Sequence, residues 1–251
     1  MVYVTGNIHG EWPVFDGPGY QKLKAHDTLI ICGDFGFLWE GTQEEQDAVK
    51  RLEEKPYTIL FVDGSHENFD LLEQYPVVEY AGGQTHQLAA NVYHLMRGQI
   101  FSIEGKTFFA FGGGESEEKQ FYIEAEKWWP REMPTIQEME DGVRRLYKMN
   151  LQVDYLITHT PAPKARTTYV PGQVQTQLEA FFEEIVREVQ YERWFYGAEH
   201  IDRVVTEKHI ALFYNVIPVD MPTKKIPKGK DKREDSRVRM KEKRGGFFRR
   251  R

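Results

Sequence analysis

Cysteine is nearly absent from this sequence, and so are long apolar runs. Cys32 is the one cysteine among 251 residues, which excludes a framework of intramolecular disulfides. No run approaches the roughly 18 consecutive apolar residues that a membrane-spanning helix needs. The first residues have neither the basic segment nor the cleavage site of a secretory signal. We therefore expect a cytoplasmic protein that does not bind to membranes.

Charge divides the sequence into two unequal parts. The net charge is −6, but residues 221–251 carry 14 Lys and Arg against 4 Asp and Glu, which leaves −16 on residues 1–220. Hydrophobic residues make up 40% of the chain and aromatic residues 14%, enough for the acidic part to build a core. Residues 1–220 are predicted to form one domain. Residues 221–251 are predicted to form a basic tail that is flexible or is ordered by a partner.

Short apolar runs that end in glycine and polar residues recur along the acidic part. Runs of about four to eight such residues are typical of buried strands. Stretches with helical periodicity lie between several of them, and this alternation indicates βαβ units. The predicted strands are Val2–Thr5, Thr28–Cys32, Tyr57–Val62, Asp154–Thr158, Trp194–Tyr196 and His209–Tyr214, and the predicted helices are Thr42–Glu54, Thr135–Met149 and Val174–Val189.

The middle of the acidic part departs from this alternation. Three further apolar runs, Val92–Met96, Ile100–Ile103 and Lys106–Phe111, lie close together in the sequence. Glu104 and Gly105 form a tight turn between the last two, so this part is predicted to be a meander or hairpin. The fold class that follows is α/β, with two sheets packed face to face as a β-sandwich flanked by helices.

Polar residues with metal-binding character follow five of the predicted strands. Loops beyond the carboxyl ends of strands in open α/β sheets converge on one crevice, so we expect these side chains to meet there. A lone histidine after a strand is more often structural, but five such clusters in order favour a site. The clusters are Gly6-Asn7-Ile8-His9-Gly10, Gly33-Asp34-Phe35-Gly36, Gly64-Ser65-His66-Glu67-Asn68, Thr158-His159-Thr160 and Gly197-Ala198-Glu199-His200.

In these clusters the sequence resembles the calcineurin-like metallophosphoesterases, and the stretches His94–Gly113 and Trp128–Pro134 resemble a bacterial and phage-type branch of that family. The family pattern is Asp-x-His, Gly-Asp, Gly-Asn-His-Asp/Glu, a His, and Gly-His-x-His, and the resemblance covers about residues 1–217. It implies a metallophosphoesterase-like domain in which two divalent ions clamp a phosphoryl group. The substrates it implies are phosphomonoesters or phosphodiesters, such as a nucleotide or a phosphoprotein.

The resemblance also implies roles for particular positions. His66 is implied to protonate the leaving group or to hold a phosphoryl oxygen, and Asp34 is implied to bridge the two ions. Imidazole and carboxylate ligands of this kind suit Mn, Fe, Zn or Ni. The implied ligands are Asn7, His9, Asp34 and His200 for the first ion, and Asp34, Ser65, His159 and Ala198 for the second.

Three of these positions depart from the family pattern. Asn7 stands where the family has Asp, Ser65 where it has Asn, and Ala198 where it has His. The first position therefore keeps three full ligands, whereas the second keeps only Asp34 and His159. We expect the chain to bind one ion rather than two, with no bound ion as the alternative.

Two further charged residues are candidates for this site. Glu199 either replaces the ligand lost at Ala198 or faces solvent, and the second is favoured because neighbouring side chains of an extended segment point in opposite directions. Arg97 is either a bidentate phosphate ligand or a partner in a surface ion pair. Together with His159, which is implied to orient the phosphate, Arg97 is a predicted substrate-binding residue.

An acidic insertion, Glu115–Glu126, is followed by the aromatic segment Trp128-Trp129-Pro130. These aromatic residues either cover the crevice and stack on a base or anchor the insertion to the rest of the domain. Anchoring is the favoured interpretation.

Two functions remain open from the sequence. The first is metal-dependent phosphoester hydrolysis that is weakened or lost because the dinuclear site is degraded. The second is a non-catalytic protein that uses the crevice to bind a phosphorylated small molecule or to regulate a partner. The basic tail is predicted to dock on the acidic domain or on a protein partner. Binding to nucleic acid ranks lower, since the acidic domain repels a polyanion.

Overall fold

The structure, a computed structural model, describes residues 1–168, 171, 175–227 and 229. In this part of the chain, two sheets pack face to face and helices cover their outer faces. The predicted fold class is therefore confirmed. Most of the predicted basic tail lies outside the described residues.

The first sheet has three of the predicted strands at its centre. In spatial order it consists of β13 (Ile217–Pro218), β1 (Val2–Thr5), β2 (Thr28–Cys32), β3 (Thr58–Val62), β6 (Val92–Leu95), β5 (Gly83–Ala89) and β4 (Val77–Tyr80). β1, β2, β3 and β6 are parallel, and the remaining strands pair antiparallel with their neighbours. The carboxyl ends of β1, β2 and β3 therefore lie at one edge of this sheet.

The second sheet supplies the other two site strands. In spatial order it consists of β11 (Arg203–Val204), β12 (His209–Ala211), β10 (Arg193–Tyr196), β9 (Tyr155–Thr158), β8 (Lys106–Phe111) and β7 (Gln99–Ile103). β12, β10, β9 and β8 are parallel. β7 and β8 form the predicted hairpin, with Glu104 and Gly105 both at positive φ in its turn.

One part of the predicted meander is placed differently. The run Val92–Met96 does not continue into the hairpin sheet: as β6 it lies parallel to β3 in the first sheet and antiparallel to β5. The reason is that β4 and β5, which the sequence analysis did not predict, provide β6 with a hairpin partner of its own.

Side chains on the two faces of a single strand contribute to two different layers of the core. In β8, Phe108 and Ala110 lie in the cluster between the two sheets, whereas Phe109 and Phe111 lie in the cluster on the outer face. Successive side chains of a strand point to opposite faces, so a run of apolar residues buries both. This is why the predicted strands are continuous apolar runs rather than alternating ones.

Helices cover both outer faces, and threonine caps define the N-termini of the three longest. The helices are α1 (Pro18–Gln21), α2 (Gln43–Leu52), α3 (Phe69–Leu72), α4 (Lys119–Glu124), α5 (Ile136–Lys148) and α6 (Gln177–Glu188). Thr42, Thr135 and Thr176 each accept a hydrogen bond from the backbone three residues later, which fixes where α2, α5 and α6 begin. In the described part of the chain, no helix has the length and apolar character needed to cross a bilayer.

The first residues of the predicted tail pack against the domain. Ile226 is buried in the cluster between the sheets, and Arg193 Nη1 donates a hydrogen bond to the carbonyl of Met221 at 2.6 Å. Asn215 Nδ2 donates to the carbonyl of Pro227 at 2.8 Å. The described part of the chain thus stays attached to the domain as far as Pro227. The assignment of a basic tail beyond it stays a prediction.

Candidate metal centre

Residues from opposite ends of the sequence meet at the carboxyl ends of the strands. His9 follows β1, Asp34 follows β2 and His200 follows β10, and their potential ligand atoms all lie within 4.8 Å of one another. The Nε2 atoms of His9 and His200 are 3.1 Å apart, although 191 residues separate them. His9 Nε2 is 3.9 Å from Asp34 Oδ2. The two sheets thus place three predicted ligands in one group.

The backbone at all three residues lies in the left-handed region. The φ angles are 53° at His9, 42° at Asp34 and 51° at His200. Such angles are uncommon for residues other than glycine; each costs on the order of 1–3 kcal/mol and persists only where the surrounding structure imposes it. All three potential ligands have a strained backbone, so holding them together lowers the stability of the folded protein.

The first two loops are held together by their backbones. His9 N donates to the carbonyl of Asp34 at 2.9 Å, and Gly10 N donates to that of Phe35 at 3.0 Å. A Cβ atom at Gly36, where φ is +75°, would lie 2.7 Å from His9 Cα. Glycine is therefore required at position 36, because no side chain fits between the loops.

The carboxylate of Asp34 is the centre of the site. Its Oδ1 accepts hydrogen bonds from the backbone N–H groups of Ser65 (2.8 Å) and His66 (3.0 Å). Its Oδ2 accepts one from Asn7 Nδ2 at 3.0 Å and lies 3.2 Å from His66 Nδ1. Burial alone would raise the pKa of Asp34, but the surrounding imidazole rings, His159 foremost, outweigh burial and hold it well below its ordinary value. Asp34 is therefore ionised and available as a ligand.

Glu67 supports the Asp34 loop and was given no role in the sequence analysis. Its buried carboxylate accepts hydrogen bonds from Phe35 N at 2.6 Å and Gly36 N at 3.4 Å. Burial and the nearby charge of Asp34 raise the pKa of Glu67 well above its ordinary value. The signal that was available is its place in the cluster Gly64-Ser65-His66-Glu67, where the family has an acidic residue.

The donor set at the first position fits one divalent ion. Ligand atoms bound at about 2.1 Å to one metal lie roughly 3.0–3.4 Å from each other. The 3.1 Å between the His9 and His200 nitrogens has this spacing, whereas His9 Nε2 and Asp34 Oδ2, 3.9 Å apart, would move closer around an ion. Two imidazoles and a carboxylate are ligands that Mn, Fe, Zn and Ni accept.

Asn7 adds a fourth group to this position. Its Nδ2 lies 2.9 Å from His200 Nε2, while its buried Oδ1 has no hydrogen-bond partner among the described residues. This Oδ1 and the carbonyl oxygen of Cys32 are near each other. Both lie within 2.3 Å of the point that a Cβ atom on Gly197 would occupy. A half-turn of the amide would aim Oδ1 at the site and set the NH₂ group beside the Cys32 carbonyl. Such amide orientations are assigned from the surrounding hydrogen bonds, so the unpartnered oxygen favours Asn7 as an oxygen ligand.

The second predicted position has a poorer set of donors. His159 Nε2 lies 3.7 Å from Asp34 Oδ1, and within the part of the chain that the structure describes the buried His159 Nδ1 has no hydrogen-bond partner. Ser65 Oγ lies 3.2 Å from His66 Nδ1, and Ala198 has no side-chain donor. Among the described residues, the group of mutually close metal-binding atoms comprises His9, Asp34 and His200 and does not include His159. How many ions the chain binds stays a prediction.

The expectation that Glu199 faces solvent is wrong. The residue is only 8% exposed. Its carboxylate accepts hydrogen bonds from Thr167 N at 2.9 Å and from Thr167 Oγ1 at 3.0 Å. Nor is Glu199 part of the group of potential ligands at the first position. The carboxylate instead ties the loop after β10 to the segment that follows the 3₁₀ turn Pro163–Ala165.

Arg97 forms an ion pair inside the protein rather than on its surface. Its Nε and Nη2 donate to Asp63 Oδ2 at 3.0 and 2.6 Å, and Nη2 also donates to the carbonyl of Arg131 at 2.6 Å. The side chain is 6% exposed. The guanidinium therefore connects the loop after β3 to the segment before α5. Its predicted role in binding substrate stays a prediction, and these contacts give it no support.

His66 is enclosed by aromatic residues that the sequence analysis did not assign to the site. Its Nε2 lies 3.2 Å from the hydroxyl of Tyr122 in α4, and its ring centroid lies 5.9 Å from that of Trp39. Burial lowers the pKa of His66, but the hydrogen bond and charge of Asp34 outweigh burial and leave it above its ordinary value. Tyr122 belongs to the acidic insertion, and its aromatic character inside a charged helix was the signal available in the sequence.

The segment Trp128-Trp129-Pro130 anchors this insertion, as favoured from the sequence. Trp129 Nε1 donates to Asp70 Oδ2 at 2.8 Å, and the ring centroids of Trp129 and Trp39 are 5.4 Å apart. The insertion also covers the site, but through Tyr122 rather than through the tryptophans.

A cavity of about 460 Å³ adjoins the site on the side of His9. Asn7 and His9 line its inner end, and Tyr20, Phe213 and Tyr214 are among the residues that form its walls. Cavities of about 300–1,000 Å³ are the usual size for small-molecule sites. The site therefore has two neighbouring environments, the aromatic cover at His66 and this cavity at His9.

The fold and the site define a two-sheet α/β protein with a His–Asp–His candidate metal centre at the carboxyl ends of its strands. The family model described as calcineurin-like phosphoesterase matches residues 2–213. The chain belongs to this family. No curated protein matches the sequence. Its placement in a bacterial and phage-type branch stays a prediction.

The solved structures that are similar to the chain share little of its sequence. One is a putative 5'-nucleotidase from Staphylococcus aureus in complex with alpha-ketoglutarate, with 14% identity, a TM-score of 0.44, and 87% of this chain and 51% of that one covered. Another is the phosphopantetheinyl hydrolase PptH from Mycobacterium tuberculosis, with 14% identity, a TM-score of 0.41, and 84% of this chain and 87% of that one covered. The chain thus spans about half the length of the first.

Proposed function

We propose that this protein is a phosphoester hydrolase that works with one divalent metal ion, at a rate below that of relatives with two. The observation that carries the proposal is the convergence of His9, Asp34 and His200 within 4.8 Å at the strand ends. Membership of the calcineurin-like phosphoesterase family supports a phosphoester as the substrate.

The residues that would hold the ion are His9, Asp34 and His200, with the amide oxygen of Asn7 as a fourth donor. An ion bound there supplies Lewis-acid polarisation of the phosphoryl group and lowers the pKa of a bound water molecule. Asp34 is fixed for this task, because its Oδ1 already accepts two backbone hydrogen bonds and its Oδ2 faces the histidines.

His66 is placed to protonate the leaving group. Its Nδ1 is occupied by Asp34 and Ser65, so Nε2 is the nitrogen that faces outward. In hydrolysis, the water oxygen bonds to phosphorus, the bond from phosphorus to the leaving oxygen breaks, and that oxygen takes the proton of His66 Nε2. The proton that the water loses restores His66 through solvent. His159, next to the other oxygen of Asp34, would orient the phosphoryl group.

A reduced rate follows from the donors at the second position. Ser65 turns its hydroxyl towards His66, and Ala198 offers no ligand atom. One of the two positive charges that stabilise the transition state in a dinuclear relative would therefore be missing.

The test is a parallel measurement of metal content and turnover. The protein is loaded separately with Mn²⁺, Zn²⁺ and Ni²⁺, dialysed, and analysed by mass spectrometry for bound metal. Hydrolysis of p-nitrophenyl phosphate and bis-p-nitrophenyl phosphate is measured on the same samples. We expect one ion per chain and slow turnover that chelation abolishes. Two ions per chain with fast turnover would contradict the single-ion proposal, and one ion without turnover would favour the non-catalytic binding protein.

A further inference from the structure

Two aromatic rings, those of Tyr122 and Trp39, lie on the outward side of His66. The hydroxyl of Tyr122 lies 3.2 Å from His66 Nε2, and the two ring centroids are 5.7 Å apart in an edge-to-face arrangement. The Trp39 ring lies 5.5 Å from Tyr122 and 5.9 Å from His66. Tyr122 and Trp39 thus form a wall, which we call the aromatic wall, beside the nitrogen that faces the substrate.

We infer that the aromatic wall binds the leaving group of the substrate, so that the site selects phosphoesters of a planar aromatic alcohol. The inference rests on the proposed function, in which the leaving oxygen reaches His66 Nε2. The Tyr122 hydroxyl now occupies that place, so a leaving oxygen that replaces it carries its organic group directly against the Tyr122 and Trp39 rings. A planar ring gains most there, because aromatic faces and edges pack favourably against each other.

The helix that carries Tyr122 has little to hold it in place. None of the residues of α4 is buried, and Phe121 and Ile123 are 65% and 42% exposed. Beyond α4 the insertion is attached by a surface ion pair of Lys127 with Glu40 and by the hydrogen bond from Trp129 to Asp70. Both contacts lie at the surface and outside the helix itself, so the Tyr122 hydroxyl can move aside for a leaving group without disturbing the core.

Charge at the aromatic wall narrows the class of leaving group. Glu118 Oε2 lies 3.5 Å from the Tyr122 hydroxyl, so any group packed there lies next to a carboxylate. A leaving group with its own negative charge, such as a further phosphate, would be repelled. The chemistry at the wall therefore fits the monophosphate ester of an uncharged aromatic group.

The test compares the binding of an aryl and an alkyl phosphonate, which the protein cannot hydrolyse. Dissociation constants of phenylphosphonate and methylphosphonate are measured by isothermal titration calorimetry, with and without added metal. We expect phenylphosphonate to bind more tightly to the unsubstituted protein. Tyr122→Ala is expected to weaken phenylphosphonate about tenfold, within the range for stacking on one aromatic side chain, and to leave methylphosphonate unchanged. Tyr122→Phe is expected to keep the aryl preference, because it keeps the ring.

Two control variants separate the aromatic wall from its surroundings. Ile123→Ala removes an exposed apolar side chain from the same helix and is expected to change neither ligand. Tyr214→Ala removes an aromatic residue from the cavity on the His9 side and is likewise expected to leave the aryl preference intact. Equal weakening of both ligands by Tyr122→Ala would overturn the inference, as would loss of the preference in Tyr214→Ala.

The experiments distinguish failure of the proposed hydrolysis from failure of the proposed role of the aromatic wall. An aryl preference that depends on Tyr122 in a protein without turnover would contradict hydrolysis and retain the aromatic wall as a binding site. One metal ion and turnover, with no difference between the two phosphonates, would retain hydrolysis and overturn the role of the wall.

Discussion

The two predicted metal positions share Asp34 and differ in everything else that matters for binding an ion. At the first, His9 and His200 bring their Nε2 atoms within 3.1 Å of each other. At the second, Ser65 and Ala198 stand at the positions where the sequence resemblance predicts Asn and His of the family pattern. The loops nevertheless have the same kind of connection at both positions, through backbone hydrogen bonds that do not depend on the side chain.

Those backbone contacts explain how the fold accommodates residues that depart from the family pattern at the second position. Ser65 donates its N–H to Asp34 Oδ1 at 2.8 Å, and Ala198 donates its N–H to the carbonyl of His159 at 3.1 Å. Any residue that accepts the local backbone conformation makes these bonds. At His9 and His200 the side chains themselves converge. The strained backbone at these two residues is explained by this convergence, because it directs both rings to the same point. The comparison teaches that the two positions are under different structural constraints.

The strongest way to break this comparison is to remove one histidine from each position. His200→Ala removes a ligand of the first position and is expected to weaken metal affinity by more than about 100-fold, since even the loss of an outer-shell partner costs about 10–100-fold. His159→Ala is the matched control at the second position and is expected to cost less than about tenfold. Titration of each metal-free variant with Zn²⁺ against a competing chelator measures both. Equal losses would mean that both positions hold an ion.

Introducing the family-pattern residues at the second position tests the same comparison in the opposite direction. The variant Ser65→Asn with Ala198→His is expected to bind two ions instead of one and to hydrolyse p-nitrophenyl phosphate faster by about 10- to 100-fold, because a second cation stabilises the transition state. Metal analysis and initial rates check the two parts independently. Ala198→Gln, which is of similar length but a weak ligand, is the control. A second ion without a faster rate would show that the missing charge does not limit turnover.

Much of the fold was predictable from continuous apolar runs. β1 and β2 have the predicted bounds, because both faces of these strands are buried and nothing interrupts the apolar pattern. β4 and β5 were missed for the opposite reason. They form the edge of the first sheet, where Val77 is exposed and polar residues such as Gln84 and Gln87 alternate with buried ones. A half-exposed edge strand resembles a loop in sequence.

The site residues that directly follow a strand could be predicted from the sequence. Those that come from an insertion or an irregular segment could not. The convergence of His9, Asp34 and His200 follows from sheet topology, which the motifs indicated. Tyr122 comes from an insertion without a strand, so no rule of strand ends places it beside His66. The buried Glu199 was also mispredicted, because its partner Thr167 lies in an irregular segment that no sequence pattern aligns with the loop after β10.

His66 and His86, which do not belong to the group His9, Asp34 and His200, are expected to change stability with pH in opposite directions. The difference tests the effect of Asp34 on His66. In the metal-free protein, the pKa of His66 lies above its ordinary value because of Asp34. The folded state therefore binds the proton more tightly than the unfolded state. The resulting stability is fully present below about pH 6.5 and is lost as pH rises through the folded pKa. Urea unfolding between pH 6 and 8 is expected to show this loss in the unsubstituted protein and not in His66→Gln. Zn²⁺ is expected to reduce the loss in the unsubstituted protein by engaging the charge of Asp34.

His86 is expected to give an effect of the reverse sign. Burial, and then the neighbouring His94, lowers the pKa of His86 to about 4, and the two Nδ1 atoms are 3.0 Å apart. The unfolded state binds this proton more tightly, so stability is present above about pH 6.5 and falls as pH decreases from there to about 4. His86→Gln is expected to lose less stability than the unsubstituted protein between pH 6.5 and 5, measured by urea unfolding with and without Zn²⁺. Because His86 does not contact Asp34, metal should leave this difference unchanged; a difference that disappears on metal binding would show that the two regions are coupled.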